Sequence, residues 1–293
     1  VATGPVTDLL TILAGPRRVG KSVALLDAAA TLCAREDIDS RQIVHLPCDG
    51  MAARDLRRAF TLGRDLTRSV DHDAVQRRVW LLDEITGVAG WTTAVKEARD
   101  GTALGDDTVV ATGSRWVANE DVTGNLLAGR AGTQPGRRVR QLLPMSFRDY
   151  VAATRPSLLL PSVVHPSHMQ TPEVDRALAT VEFDIDEYDR AWQAYLTCGG
   201  FPRAAAEYER DGVVSEPYMR DLAAWLRSDV DPDEPPESVP LLLHELSCRS
   251  TSPLNVTKVA QELGRTTRIF EVRLTRLVNS FAALHCPKRS DVG

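Results

Sequence analysis

The first half of the chain alternates short apolar runs with longer amphipathic stretches. The apolar runs have the length and the bounding turn residues of buried strands. They are residues 9–14, 42–48, 79–84 and 108–114, with a weaker run at 139–143. Helical patterns separate them at residues 23–30, 52–68 and 91–100. Strands that alternate with helices predict a parallel sheet covered by helices on both faces.

The second half of the chain has a helical pattern that is broken by prolines. Four prolines in residues 156–173 predict an exposed loop, and five acids with four prolines in residues 229–240 predict a linker. Helical patterns occupy residues 186–198, 203–211, 216–228, 240–249, 255–263 and 266–280. We therefore expect three parts, with the boundaries 1–145, 146–236 and 237–293.

Composition limits the class of protein. The 293 residues are 43% hydrophobic and 26% charged, which is ordinary for a soluble globular chain. The sequence shows no apolar run long enough to span a bilayer and no secretory signal, and its five scattered cysteines form no pair with metal-ligand spacing. We expect a cytoplasmic protein with no membrane partner. The net charge of −5 argues against a surface coated in nucleic acid, although a local basic face remains open.

A glycine-rich segment between the first predicted strand and helix gives the chain its chemistry. Residues 15–22 fit the pattern G-x-x-x-x-G-K-[ST] of a phosphate-binding loop. Glycines let successive backbone N–H groups turn towards a phosphate, and the helix N-terminus adds positive potential. Lys21 would reach the β- and γ-phosphates of ATP, and the Ser22 hydroxyl would hold Mg²⁺. The predicted nucleotide contacts in this loop are Gly15, Pro16, Arg17, Arg18, Val19, Gly20, Lys21, Ser22 and Val23.

Two acids close the third predicted strand, where a phosphate-loop ATPase binds its metal. Asp83 would bind Mg²⁺, and Glu84 would orient or deprotonate the attacking water. Taken alone, the pair could equally be surface acids that open a turn. With the phosphate loop upstream, they predict the second half of a hydrolytic site.

Further polar groups are candidates for the same site. Thr112 and Ser114 end the next strand, which should lie beside the Asp83 strand, and they could sense the γ-phosphate or hold the water. Plain turn chemistry explains them equally well. Arg130 is a candidate to neutralise charge during phosphoryl transfer, in cis or across subunits. Arg115, Arg137 and Arg138 compete for that role, and a solvated arginine is the alternative for each.

These motifs, in this order, resemble a large group of prokaryotic ATPases in the AAA-like and STAND-like part of the phosphate-loop class. The resemblance covers nearly the whole chain. It rests on residues 15–22, 81–85, 90–91, 111–114, 127–130, 143–150, 199–202, 220–222 and 227–229. It implies an α/β fold, a P-loop NTPase parallel sheet followed by a helical lid and a winged-helix domain. It also implies slow, Mg²⁺-dependent ATP hydrolysis that acts as a switch.

The resemblance adds expectations that the residues alone do not supply. In STAND-like ATPases a Gly-x-Pro element of the lid touches the nucleotide, and Gly200 and Pro202 match it; a rigid corner between two helices is the alternative. The group usually carries a nuclease-like C-terminal domain of unknown function. We expect that domain to be missing here, and assembly into a homo-oligomer stays open.

The last predicted helices have the pattern of a winged helix with a basic character. Residues 248–277 contain six basic and two acidic side chains, and Arg265 and Arg268 would begin the third helix. Two interpretations remain open for residues 240–286: a module that packs on the ATPase core or contacts a protein, and a DNA reader. The sequence thus predicts an ATPase switch; the alternatives are a nucleotide-gated DNA-binding regulator, a module that holds ATP without cleaving it and, more weakly, a small-molecule kinase.

Overall fold

The structure is a computed structural model of the chain. It describes residues 10–67, 77–101, 103–105, 107–114, 139–169, 171–230, 235, 237–250, 252–284 and 286. Contacts between Cα positions divide the chain into two compact units. Residues 1–142 and 226–293 form the first unit, and residues 143–225 form the second. Within the described residues, no helix is long and apolar enough to cross a membrane.

A parallel sheet organises the first unit. Its strands within the described residues are β1 (Leu10–Ala14), β2 (Ile43–Pro47), β3 (Val79–Asp83), β4 (Thr108–Gly113) and β5 (Val139–Gln141). They lie in the order β2-β3-β4-β1-β5, and all neighbouring pairs are parallel. Their carboxyl ends therefore meet along one edge of the sheet. This result confirms the predicted parallel α/β sheet, and it places β4 between the phosphate-loop strand β1 and the acid-bearing strand β3.

Helices pack against this sheet as the sequence predicts. They are α1 (Lys21–Cys33), α2 (Ala53–Leu66) and α3 (Trp91–Asp100). The sheet core holds Phe60 of α2 against Trp80 of β3, with the ring centroids 5.5 Å apart at 84°. At the opposite end of the strands from the phosphate loop, Asp107 accepts hydrogen bonds from the Arg78 backbone N–H and the Trp80 indole N–H, both at 2.9 Å. The sheet is thus fixed far from the edge where chemistry is expected.

The second unit contains helices and, among its described residues, no strand. It contains α4 (Phe147–Thr154), α5 (Pro172–Ala179), α6 (Ile185–Cys198) and α7 (Pro202–Asp211), together with most of α8 (Glu216–Val230). Tyr150 and Tyr218 are buried in its core beside Ala191 and Ala204. Helix α5 lies partly in the stretch predicted as a loop, because proline at the first helical position is compatible with a helix.

The last helices belong to the first unit and have a core of their own. They are α9 (Ser238–Cys248), α10 (Val256–Glu262) and α11 (Thr267–Asn279). Val230, Leu242, Phe270 and Leu277 form their buried centre. The predicted linker is correspondingly shorter, since α8 continues to Val230 and α9 already begins at Ser238. Among the described residues after α11 no strand appears, so a winged helix remains a prediction, as do the three domain boundaries.

Candidate nucleotide-binding site

The phosphate loop follows β1 and is shaped by its two neighbouring strands. A Cβ atom at Gly15 would lie 2.0 Å from the Leu142 carbonyl oxygen, so only glycine fits there. The Gly15 N–H donates to the Gly113 carbonyl at 3.2 Å, which ties the loop to the end of β4. Further along, Arg18 and Gly20 have φ angles of 69° and 98°. A left-handed conformation at a non-glycine residue such as Arg18 is uncommon and is concentrated at functional sites.

Lys21 is the first residue of α1, and its side chain folds back onto the start of this loop. Its side chain is buried, and Nζ donates to the carbonyl oxygens of Gly15 at 3.0 Å and Pro16 at 2.8 Å. Burial lowers the pKa of Lys21, whereas the nearby carboxylates of Glu84 and Asp83 act in the opposite direction. The ammonium group is therefore held by backbone carbonyls at the place where phosphates are expected, within electrostatic reach of both acids.

The acid pair lies at the carboxyl end of β3, which is the strand next to β4 on the side away from β1. Leu82 pairs with Ala111, so the next residues, Asp83 and Thr112, stand level at the sheet edge. The Thr112 hydroxyl donates to Asp83 Oδ1 at 2.7 Å and accepts from the Glu84 N–H at 2.9 Å. Thr112 is fully buried, and the two hydrogen bonds use its hydroxyl in both directions. This residue fixes the direction of the backbone where the strand turns.

Ser114 holds the other carboxylate. Its backbone N–H donates to Glu84 Oε1 at 3.1 Å, and its hydroxyl donates to the same oxygen. Glu84 itself has φ of 54°, in the left-handed region, and Gly113 is packed so closely on Thr86 that a Cβ atom would lie 2.1 Å from Thr86 Cγ2. The structure therefore brings Thr112 and Ser114 to the acids, as their strand order predicted. Their contacts show a function that the sequence did not assign: they position Asp83 and Glu84.

The remaining loop residues differ in exposure. Pro16 and Val19 are buried, whereas Arg17, Arg18, Ser22 and Val23 are exposed. Ser22 follows Lys21 on α1 and presents a hydroxyl oxygen, and Asp83 is half-buried and presents carboxylate oxygens. Oxygen donors of this kind suit Mg²⁺, so the donor set fits the ion that the motif implies. Groups of three or more metal-ligating side chains were not found among the described residues.

The predicted lid contacts lie in the second unit, where local packing accounts for them. Gly200 accepts a hydrogen bond from the Met145 N–H at 2.7 Å, and a Cβ atom at Gly200 would lie 2.2 Å from the Met145 carbonyl oxygen. Pro202 is the first residue of α7. The glycine and the proline are thus explained by a tight corner, and a contact with nucleotide stays a prediction. Arg130 lies outside the described residues.

The basic side chains of the last helices are largely engaged within the fold. Arg273 is buried and donates to the Ser238 carbonyl at 3.1 Å, and Arg276 donates to the Val230 carbonyl at 3.1 Å. Arg249 pairs with Glu245 and Glu262. Arg268 is exposed at the start of α11. Arg249, Arg273 and Arg276 therefore have partners within the fold, although the Arg276 side chain is exposed.

Comparisons with known proteins agree with the geometry. Residues 7–151 match a family model described as an AAA domain. No curated protein matches the chain in sequence. Among solved structures, a variant of Thermotoga maritima RuvB is similar with a TM-score of 0.41 and 14% identity, over 96% of this chain and 82% of that one. A Walker-type ATPase of Pyrococcus abyssi is similar with a TM-score of 0.43 and 14% identity, over 93% of this chain and 85% of that one.

The DNA-bound ORC1 protein of Aeropyrum pernix is also similar, with a TM-score of 0.33 and 12% identity, over 97% of this chain and 81% of that one. These structural likenesses are loose. The family model, by contrast, spans β1 to α4 and thus includes the phosphate loop, the acid pair and the end of β4. Residues 7–151, just under half of the chain, thus carry an AAA domain, in agreement with the resemblance to phosphate-loop ATPases.

Proposed function

We propose that the chain binds ATP together with Mg²⁺ and hydrolyses it slowly as a nucleotide-driven switch. The observation that supports this most strongly is the sheet edge itself. Strand β4 stands between the phosphate loop and the acid pair, and Thr112 and Ser114 hold the carboxylates of Asp83 and Glu84 towards the same edge. Phosphate binding and water activation need groups of these kinds in one place.

Each residue has a specific part in the proposed reaction. Nζ of Lys21 would exchange its carbonyl acceptors, Gly15 O and Pro16 O, for phosphate oxygens. Ser22 and Asp83 would hold Mg²⁺, which supplies charge neutralisation on the phosphates. Glu84 would accept a hydrogen bond from the attacking water and take its proton. Gly200 and Pro202 of the second unit would contact the bound nucleotide, and Arg130 would stabilise the developing charge.

Hydrolysis by wild type and Glu84→Gln protein tests this proposal. The amide keeps the size of the side chain but cannot take a proton, so we expect the hydrolysis rate to fall about 100- to 10,000-fold while Mg–ATP affinity is retained. Lys21→Ala should instead weaken Mg–ATP binding by about 10- to 100-fold, because a charged hydrogen bond to phosphate is lost. Lys96→Ala, on the exposed face of α3, is the matched control. Undiminished turnover by Glu84→Gln would exclude the proposed role of Glu84.

A DNA-binding regulator is the second candidate function. It is favoured by the exposed Arg268 at the N-terminus of α11, directly after the short turn from α10. A winged-helix DNA reader would place this helix in a major groove. The pairing of Arg249 with two acids and the burial of Arg273 reduce the charge available for that function. A packing module that responds to nucleotide therefore has the better support.

A further inference from the structure

An ion pair connects the phosphate loop to the last turn of α8, within the first unit. Arg17 Nε lies 3.9 Å from Asp229 Oδ2. The Arg17 side chain is 47% exposed, whereas the Asp229 side chain is only 4% exposed. Carboxylates are seldom so fully buried without a cationic partner. Here the buried carboxylate stands beside a loop whose chemistry suits polyanions.

Asp229 is fixed to the C-terminal helices by its neighbour in sequence. Val230 is fully buried in the core formed with Leu242, Phe270 and Leu277. Its carbonyl oxygen also accepts a hydrogen bond from Arg276 of α11 at 3.1 Å. The carboxylate of Asp229 therefore cannot move away from Arg17 unless the end of α8 shifts relative to α11 or the arginine turns.

A phosphate group and Asp229 compete for the same guanidinium. Arginine binds phosphate and carboxylate with the same set of donors, so occupation by one excludes the other in that geometry. A polyphosphate in the loop also repels the buried carboxylate, and burial reduces the screening of this repulsion. Nucleotide in the loop should thus weaken the contact between Arg17 and Asp229.

We propose that the Arg17–Asp229 ion pair is a nucleotide-sensitive link that reports occupancy of the phosphate loop to helices α9, α10 and α11. The link is closed when the loop is empty. Triphosphate draws Arg17 towards the nucleotide and removes this contact of Asp229, which loosens the end of α8 and the helices packed on Val230. This inference rests on the proposed nucleotide-binding function and names the regulation of that site.

Affinities for Mg–ATP, measured on the full chain, give the first test. Asp229→Asn removes the competing charge with little change in shape, so we expect Mg–ATP to bind about threefold more tightly than to wild type, the range of a partly exposed ion pair. Adding Arg17→Gln should abolish that gain in affinity, because the gain depends on the Arg17 guanidinium. Glu271→Gln removes one negative charge from the exposed face of α11 and should leave the affinity unchanged. Equal or weaker binding to Asp229→Asn would overturn the proposal.

Hydrogen exchange in residues 256–279 gives a readout independent of affinity. Mg–ATP should raise exchange there in wild type, and Asp229→Asn should show the raised exchange without nucleotide. Wild type that binds Mg–ATP with no change in this region would overturn the link and leave the nucleotide function standing. Wild type that fails to bind Mg–ATP would overturn both.

Discussion

Two regions of this chain carry the polar residues that a sequence reader would assign to function, and they use them in opposite ways. At the carboxyl edge of the sheet, Thr112 and Ser114 orient two acids towards a phosphate loop. In helices α9 to α11, Arg273 and Arg276 donate to backbone carbonyls of the fold itself. The edge gathers charged groups in one place, whereas α11 uses Arg273 as a buried donor to the fold. Residue type alone does not distinguish the two uses, because the partners decide which applies.

The largest expected effect concerns the helices. Arg273→Ala should lower the free energy of unfolding by about 3 kcal/mol, because it removes a buried charged donor from the Ser238 carbonyl and leaves a cavity. Arg268→Ala, at an exposed position on the same helix, should change it by less than about 0.5 kcal/mol. Denaturant unfolding of both variants measures the difference. Equal stability losses would remove the structural role that separates Arg273 from Arg268.

The position of Arg273 could have been deduced from the sequence, whereas its partner could not. Phe270, Arg273 and Leu277 have the spacing of one helix face, and the two apolar residues are both buried. An arginine on that face is either a break in the core or a structural donor. The choice depends on the Ser238 carbonyl, which is 35 positions away in the chain and is brought close only by packing.

The sheet edge was more predictable because strong local patterns define it. The loop motif, its flanking strand and helix, and the acids after β3 each give a signal within about ten residues. Parallel strand order then places β4 beside β3. The hydrogen bond from Ser114 to Glu84 depends on register and side-chain rotamers, and the sequence contains neither.

The end of α8, in contrast, is not predicted correctly from the sequence. Acids and prolines predict a linker from Asp229, yet the helix continues to Val230, since that side chain is needed in the core with Leu242 and Phe270. Burial of one valine overrides local propensity here. The carboxylate that contacts Arg17 therefore belongs to a helix rather than to a linker.

A smaller effect is expected for Thr112, at the carboxyl edge of the sheet. Thr112→Val keeps the shape but removes a hydroxyl that donates to Asp83 and accepts from the Glu84 N–H. We expect a loss of about 1 to 3 kcal/mol in the free energy of unfolding, because buried polar groups lose their partner. Hydrolysis should fall as well, since the acids lose their orientation. Thr112→Ser restores the hydroxyl without the methyl group and should recover most of the hydrolysis rate; hydrolysis as slow as in Thr112→Val would contradict the orienting role of the hydroxyl.

The smallest effect is expected for duplex DNA. If α11 reads DNA, binding releases counterions in proportion to the number of phosphates that the helix neutralises. The slope of the logarithm of the affinity against the logarithm of the salt concentration is then about −0.9 for each neutralised phosphate. Arg249 is paired with acids and Arg273 is buried, whereas Arg268 is exposed at the start of α11 and Lys258 is exposed on α10. We therefore expect weak binding with a slope no steeper than about −2, reduced by about one unit in Arg268→Ala.

A slope near −6 would contradict the comparison between the two regions, because the helices would then be presenting charges that the fold holds internally. The matched control for that result is Arg54→Ala, an exposed position on α2 that lies outside the C-terminal helices. A steep slope lowered equally by both substitutions would indicate diffuse attraction to the whole surface. A steep slope lowered by Arg268→Ala alone would make α11 a DNA reader, and the internal pairs of Arg273 and Arg276 would then serve to hold that helix rigid for recognition.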